Sequence, residues 1–454
     1  MFSSAKNIHF VGIGGIGMSA IAEILLNQGF SVSGSDMSRS DNTDYLAARG
    51  AKIMIGHNAA NIEGAEVVVY SSAVKIDKNP ETLAAMKLGV PLLRRAEMLS
   101  EVSRLKYTLA VAGTHGKTTT TSMVGIILMK ANFDPTVIVG GRLKDFGGTN
   151  ARLGNGEWIV VEADEYDRSF LQLSPAVSII NNIEAEHLDI YADIDDLKRT
   201  FVEFANKVPF YGFVAACIDN EGVKDILADI KKKTITFGLS RNADVRASNI
   251  TYLERGTEFE VVINGEKQGR VHLNVPGLHN IKNALGAITV AHELGVDFET
   301  IKEGLSAFTG VFRRFEIKSE KDDIIVIDDY AHHPSEIEAT LQAARSGWDR
   351  RTICVFQPHT YTRTQQFYKD FGKAFDEADI LIVTDVYPAR EEPIEGVTGK
   401  LIADAAVQFG HKNVRYIADK NELYPEVKKI IKPGDLVLTM GAGDIWKLSN
   451  QLAD

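Results

Sequence analysis

Short apolar runs rich in Val and Ile alternate with longer amphipathic stretches along nearly the whole chain. That alternation predicts βαβ units and an α/β fold with mainly parallel sheets. "NIHFV" (7–11) reads as a strand, "MSAIAEILLNQG" (18–29) as a helix closed by glycine, and "SVSGSD" (31–36) and "AEVVVYSS" (65–72) as the next strands. After the charged, helix-like "RAEMLSEVSRLK" (95–106), a new unit opens at "YTLAVAG" (107–113), which places a first boundary near residue 106.

The second unit continues through "EWIVVEAD" (157–164), "AVSIINNIEAEHLD" (176–189) and a strand-like alternation at "TEFEVVINGEKQGRVHLNV" (257–275). Helices are predicted at "NIKNALGAITVAHELG" (280–295) and "DFETIKEGLSAF" (297–308). "FRRFE" (312–316) is the expected hinge into a third series, "DIIVIDDYAHH" (323–333), "TICVFQPH" (352–359), "ADILIVTDVYP" (378–388) and "GDLVLTMGAGDIWKLSNQL" (434–452). The expected domains are therefore 1–106, 107–312 and 313–454. Each carries a strand that runs into a small-residue turn opening a helix: "FVGIGGIGM", "VAGTHGKTT" and "LTMGAGDIW". Ligands of open α/β sheets sit at such strand ends.

With 454 residues, 44% hydrophobic and 24% charged, the chain has the composition of globular protein. A net charge of −11 argues against a nucleic-acid or anionic-membrane binder, while leaving room for local basic pockets. The two cysteines, Cys217 and Cys354, are far apart in or beside apolar runs and read as reduced core residues. No apolar run approaches 18 residues and the start of the chain lacks a secretory pattern, so a soluble cytoplasmic protein is expected.

"GTHGKT" (113–118) departs from the usual phosphate-loop spacing, since Val111 stands where a further glycine is common. The physical demands are still met. Gly113 and Gly116 allow a tight turn that aims backbone N–H groups at phosphate oxygens, Lys117 supplies positive charge, and the Thr118 hydroxyl suits Mg²⁺. Glu162 and Asp164 end an apolar strand and offer further oxygen ligands, although acids commonly cap strands in so acidic a chain. His187 follows another buried-type strand, where a structural role is as ordinary as ligation.

The other loop, "GIGGIG" (12–17), satisfies Gly-x-Gly-x-x-Gly through Gly12, Gly14 and Gly17, and Asp36 ends the next strand where a ribose hydroxyl would be held. A nicotinamide-dependent oxidoreductase fits that loop alone. A UDP-sugar presents the same pyrophosphate and ribose, so this loop cannot choose between them. A simple dehydrogenase has no use for a second, ATP-type loop, whereas an enzyme joining a UDP-linked substrate to something at the expense of ATP needs both.

The sequence resembles the Mur ligase family over essentially its whole length. The resemblance rests on "VGIGGIGMS", "GSD", "AGTHGKTTT", "VEADEYDRSF", "NNIEAEHLD", "PGLHNIKNALGA", "FRRFE", "DDYAHHPSEI", "FQPHTYTRT" and "GAGDIW", taken in order. It implies three domains: an N-terminal Rossmann-like UDP-substrate domain, a central P-loop ATPase with a mainly parallel sheet, and a C-terminal Rossmann-like domain for the amino acid. ATP and Mg²⁺ follow as cofactors, and UDP-N-acetylmuramate and L-alanine as substrates. No nucleic acid or membrane insertion is implied, and a monomer or weak homodimer is expected.

By the same resemblance, Gly113, Thr114, His115, Gly116, Lys117, Thr118 and Thr119 hold the ATP phosphates. Thr118, Glu162 and His187 ligate Mg²⁺. Asn280 and Asn283, at i and i+3 on one helix face, reach adenine and its ribose or phosphate side, and Arg313 and Arg314 reach the phosphates or the substrate carboxylate. Gly12, Gly14, Gly15, Gly17, Asp36, Ser71 and Ser72 take the UDP-substrate. Tyr330, His332 and Arg363 take the amino acid, where arginine's fork suits a carboxylate and His332 orients or deprotonates the amine, or serves as a cap. Lys117, His332 and Arg363 form the expected catalytic set. Relatives that carbamylate a lysine would place it near Phe201, with Lys198 a turn away, and Lys198 is not assigned that role. The alternatives are the ligase that recycles a whole tripeptide onto the same UDP-sugar, an NAD-dependent oxidoreductase, and a nucleotide-sensing module.

Overall fold

A computed structural model describes residues 6–71, 73–104, 106–141, 150–186, 190–389 and 391–454. The chain forms two compact units. One comprises Met1–Ala247, Val261–Gln268 and Lys282–Phe308; the other comprises Ser248–Glu260, Gly269–Ile281 and Thr309–Asp454.

The first unit begins with a five-stranded sheet in the spatial order Lys52–Ile55, Ser31–Asp36, Asn7–Val11, Val67–Tyr70, Leu92–Arg94. All its pairings are parallel. Strand order reverses beside Asn7–Val11, the place where a ligand crevice opens in a doubly wound sheet. The central sheet has ten strands. Within it, Thr234–Gly238, Phe213–Cys217, Val177–Ile180, Tyr107–Ala112, Trp158–Ala163 and Thr136–Ile138 run parallel in that order, and Ala151–Arg152 closes one edge antiparallel. These strands are apolar throughout because both faces are covered: Leu109, Ala110, Val111, Ala112, Val160, Val161, Ile179 and Ile180 are all fully buried. Phe170, Phe201 and Phe204 pack together beneath this sheet, with the Phe170–Phe204 ring centroids 4.7 Å apart.

The second unit carries a six-stranded sheet ordered Glu316–Lys321, Ile324–Asp329, Asp435–Met440, Arg351–Phe356, Ile380–Val383, Val414–Tyr416. Its first pair is antiparallel and the rest are parallel. The parallel α/β class expected from the pattern is thus the observed one. Several boundaries differ for local reasons. The helix expected from 18 begins at Ile16, because Gly15 takes the cap position in an extended conformation. Among the described residues of the run 176–189, the strand covers only Val177–Ile180, and the side chains of Asn181 and Asn182 turn to hydrogen-bond Thr120 and His115. The alternation at 257–275 is two strands, Gly256–Ile263 and Glu266–Leu273, broken where Asn264 and Gly265 both adopt left-handed φ, as an Asn-Gly turn demands. Among the described residues no helix is long and apolar enough to cross a membrane.

Candidate active site

The loop after strand Tyr107–Ala112 passes through Gly113 (φ +138°) and Gly116 (φ +80°), and the helix Lys117–Lys130 starts on Gly116. A side chain at Gly113 would press on Asn181 and Asn182, and one at Gly116 would come within 2.4 Å of Asn283 Oδ1. The neighbouring strand's tail fixes the loop. The Asn181 amide donates to the Ala112 carbonyl at 3.0 Å and its side chain to Thr120 Oγ1 at 3.0 Å. Asn182 accepts from the His115 amide at 2.7 Å, its carbonyl accepts from the Thr114 amide at 3.1 Å, and the Glu184 amide donates to Thr114 Oγ1 at 2.9 Å. The first amides of the helix are left pointing into the loop without intrahelical acceptors, the arrangement that receives an anion.

Lys117 Nζ donates to the Gly113 carbonyl at 2.6 Å, the Thr114 carbonyl at 3.1 Å and Glu165 Oε2 at 2.7 Å. Burial acts against its charge, but the carboxylates of Glu165 and Asp164 outweigh burial and hold the ammonium above the ordinary lysine range. Burial pushes Glu165 itself upward.

Glu162 stands opposite Val111 in the paired strands, beside the point where the loop leaves the sheet. Its carboxylate accepts from the Gly140 amide at 2.6 Å and from the Thr118 hydroxyl. Burial raises its pKa against those bonds and against the charge of Lys117. Two hard oxygen donors, one of them a carboxylate that burial leaves short of compensating charge, fit Mg²⁺. His187, the third expected ligand, lies outside the described residues, as does Ser72. Lys198 is turned to Asp225 at 2.7 Å and to Asp195, and Phe201 is core.

In the five-stranded sheet, the glycine loop is closed by its own framework. Gly12 and Ile13 donate to the Ser35 carbonyl, and Gly14 donates to Asp36 Oδ2 at 2.9 Å while Asn42 donates to its carbonyl at 2.8 Å. Gly12 lies against Ser71, 3.2 Å from where a Cβ would stand. Gly17 lies under the guanidinium of Arg95, whose Nη1 is 3.0 Å from the position of an added Cβ. Asn150 donates to the Ile16 carbonyl and so ties the first loop's helix to the central sheet's edge.

In the second unit, strand ends gather a further set. Tyr330 follows Ile324–Asp329, and the His332 and Tyr330 rings meet edge-on at 5.3 Å, with His332 Nδ1 2.9 Å from the Tyr330 carbonyl. Arg363, in the helix Tyr361–Lys373, reaches His359 Nδ1 at 3.4 Å, and His359 stacks on Tyr387 and faces His332 at 6.0 Å. Burial, with His332 and Arg363 beside it, pushes His359 down to about 3, so it is neutral at neutral pH. Thr360 holds φ +66°, a conformation that costs a β-branched residue strain of a kind found at functional sites. Arg313 donates to Asp328, Gly441 and Gly443 and lies over the Tyr330 ring, 4.8 Å from its centroid; Arg314 pairs with Glu336. Both arginines are thus engaged within their own unit.

The structure brings Thr118 and Glu162 together, Lys117 with the loop glycines, Gly14 with Asp36, and Tyr330 with His332. Asn283 stands against Gly116, whereas Asn280 donates to the Pro276 carbonyl at 2.7 Å. The sequence reading missed Asn181 and Asn182 as loop braces, Glu165 as the partner of Lys117, Arg95 over Gly17, and His359. "NNIE", "EADE", "RRAE" and "QPH" were visible as motif segments, but spacing gave these residues no partner.

Two anion-type loops on parallel sheets, one with a lysine and an oxygen pair suited to Mg²⁺, define an α/β nucleotide-binding protein. Family models match in sequence along the chain: the Mur ligase family catalytic domain over 7–107, the Mur ligase middle domain over 111–291, and the Mur ligase glutamate ligase domain over 313–443. The chain belongs to the Mur ligase family. It is 52% identical to the UDP-N-acetylmuramate–L-alanine ligase of Geotalea uraniireducens, covering 100% of this chain and 99% of that one. It is 51% identical to the enzyme of that name from Salinibacter ruber, over 99% of this chain and 94% of the relative. Among solved structures, the UDP-N-acetylmuramate–alanine ligase of Thermotoga maritima matches with a TM-score of 0.82 at 33% identity, over 98% and 97% of the two chains. A murein peptide ligase of Psychrobacter arcticus matches at 0.71 and 26% identity, over 98% of each.

Proposed function

We propose that this protein joins L-alanine to the lactyl carboxylate of UDP-N-acetylmuramate, with ATP converted to ADP and phosphate. The observation that carries the reading is the pair of loops within one unit, joined to full-length likeness to alanine-adding ligases. The lactyl carboxylate attacks the γ-phosphate of ATP and becomes an acyl phosphate. The amine of L-alanine then attacks the acyl carbon, an amide forms, and phosphate leaves in place of an oxide no carboxylate could expel.

Each loop has a separate task. The Gly12–Gly17 turn, with Ser71, Asp36 and Arg95 around it, holds the sugar nucleotide. Gly113–Thr119 holds the triphosphate, with Lys117 screening the repulsion between two anions. Thr118 and Glu162, with His187, would hold Mg²⁺, which supplies further charge neutralisation at the phosphates. Arg363 takes the alanine carboxylate, and His332 orients or deprotonates its ammonium, while His359, held neutral beside them, packs the corner. Domain limits near 106 and 312 follow the same division of labour. Buried, unpaired Cys217 and Cys354 support a cytoplasmic setting.

The test is phosphate release with UDP-N-acetylmuramate, ATP and each common amino acid in turn, with the tripeptide L-alanyl-γ-D-glutamyl-meso-diaminopimelate as the rival acceptor. Turnover with L-alanine and none with the tripeptide is the expected result, and the reverse preference overturns it.

A further inference from the structure

An ammonium has three N–H donors, and all three on Lys117 are committed: to the carbonyls of Gly113 and Thr114 and to Glu165 Oε2. A phosphate oxygen gains a hydrogen bond from this lysine only when one of the three is given up. The two carbonyls lie four and three residues before Lys117 and belong to the loop itself. Releasing either would loosen the turn that aims the helix amides. Glu165 comes from a different segment, beyond strand Trp158–Ala163, and can part without disturbing the loop.

Its surroundings favour that parting. Glu165 is 1% exposed, and Asp164 and Glu186 add negative charge around the same ammonium. Triphosphate entering here sets more negative charge against a buried carboxylate. The Glu165 segment is also under backbone strain, since Asp167 and Arg168 both hold left-handed φ, at +56° and +53°. Tyr191 at the Glu165 carbonyl (2.6 Å), Arg94 at Asp167 (3.5 Å) and Asp196 at Arg168 anchor the segment itself, so the parting is a movement of the Glu165 side chain alone.

We propose that Glu165 is a positioning residue that competes with the nucleotide: it holds Lys117 retracted on the empty loop and yields when phosphate arrives. The proposal deepens the ATP assignment above and rests on it. The lysine stays charged, compensated and pointed at the loop before ligand enters, and nucleotide affinity is set lower than the loop alone would allow.

The test compares Glu165→Gln, Glu165→Asp and Glu165→Ala with the parent by calorimetric titration with ADP, and by KM for ATP and kcat in phosphate release. Glu165→Gln keeps the shape and removes the charge. It should bind ADP about tenfold tighter, the scale of one charge-assisted hydrogen bond. KM for ATP should fall while kcat does not rise. Glu165→Asp restores the charge and should return affinity toward the parent value. Glu165→Ala, should the Gln variant fold poorly, must move affinity in the same direction. A residue that only supports the fold would weaken nucleotide binding when replaced, so unchanged or weaker ADP binding in folded Gln and Ala variants overturns the proposal. Lys117→Met serves as the control: parent-like ADP affinity there would remove the loop assignment itself, whatever Glu165 does.

Discussion

The amide of Gly14 donates to Oδ2 of Asp36 at 2.9 Å, across 22 residues of chain. The acid at the end of the second strand therefore shapes the glycine loop. Asp36→Ala should loosen the loop and raise KM for UDP-N-acetylmuramate about tenfold, the worth of one hydrogen bond to a charged group. KM for ATP should stay unchanged. Steady-state kinetics with each substrate varied in turn checks the split.

Arg95 lies over Gly17 at the start of the helix Ile16–Asn27, beside the same loop. Arg95→Met keeps the stem and removes the charge, and should raise KM for the sugar nucleotide about tenfold with a small change in kcat. Gly17→Ala should be mild by comparison, because the atom its Cβ meets is the end of a flexible side chain. Equal damage from both substitutions would assign the effect to the helix start and not to Arg95.

Gly116→Ala meets two obstacles at once. Its φ of +80° costs an L-residue about 1–2 kcal/mol, and the new Cβ falls 2.4 Å from Asn283 Oδ1. Nucleotide binding should drop at least tenfold while circular dichroism remains native, and ADP titration reads the loss. A combined Gly116→Ala and Asn283→Ala protein should regain part of the affinity.

Glu81 is fully buried in the five-stranded domain and accepts hydrogen bonds from Ser35, Asn61 and the Asn58 amide, with His9 at 3.4 Å. Burial alone would raise its pKa, yet these partners together carry it down to about 2. An unfolded glutamate titrates near 4.3. The sign follows: the folded state binds the proton less readily, so this group's stabilisation is complete above pH 4.3 or so and is lost as pH falls toward 2. Glu81→Gln should lower Tm at pH 7 and flatten the loss of stability between about pH 4.5 and 2. Thermal unfolding of both proteins across that window checks it.

The parallel sheets and both loops were legible in the sequence because each is local: a run of Val and Ile, then glycines at fixed spacing. The partners of those loops were not. Asn182 braces His115 from 67 residues away, and Glu165 meets Lys117 from 48 residues away. Such pairs depend on which strands become neighbours, and periodicity carries no record of strand order. Asp36 was legible as a residue, but its bond to Gly14 depends on the register of two strands. His359 stayed hidden because a histidine after a strand is common, and only the fold sets it against Arg363 and Tyr387.

The bracing of Gly113–Gly116 by Asn181, Asn182 and Glu184 also fixes when, during synthesis, the nucleotide can be gripped. Those contacts need strand Val177–Ile180 laid beside Tyr107–Ala112, a pairing that cannot form before the chain has been made past Ile180. A nascent chain that has emerged only as far as the lysine helix carries every residue of the loop and none of its scaffold. ATP therefore cannot chaperone the early stages of this domain; it reports on, and stabilises, only a central sheet already assembled.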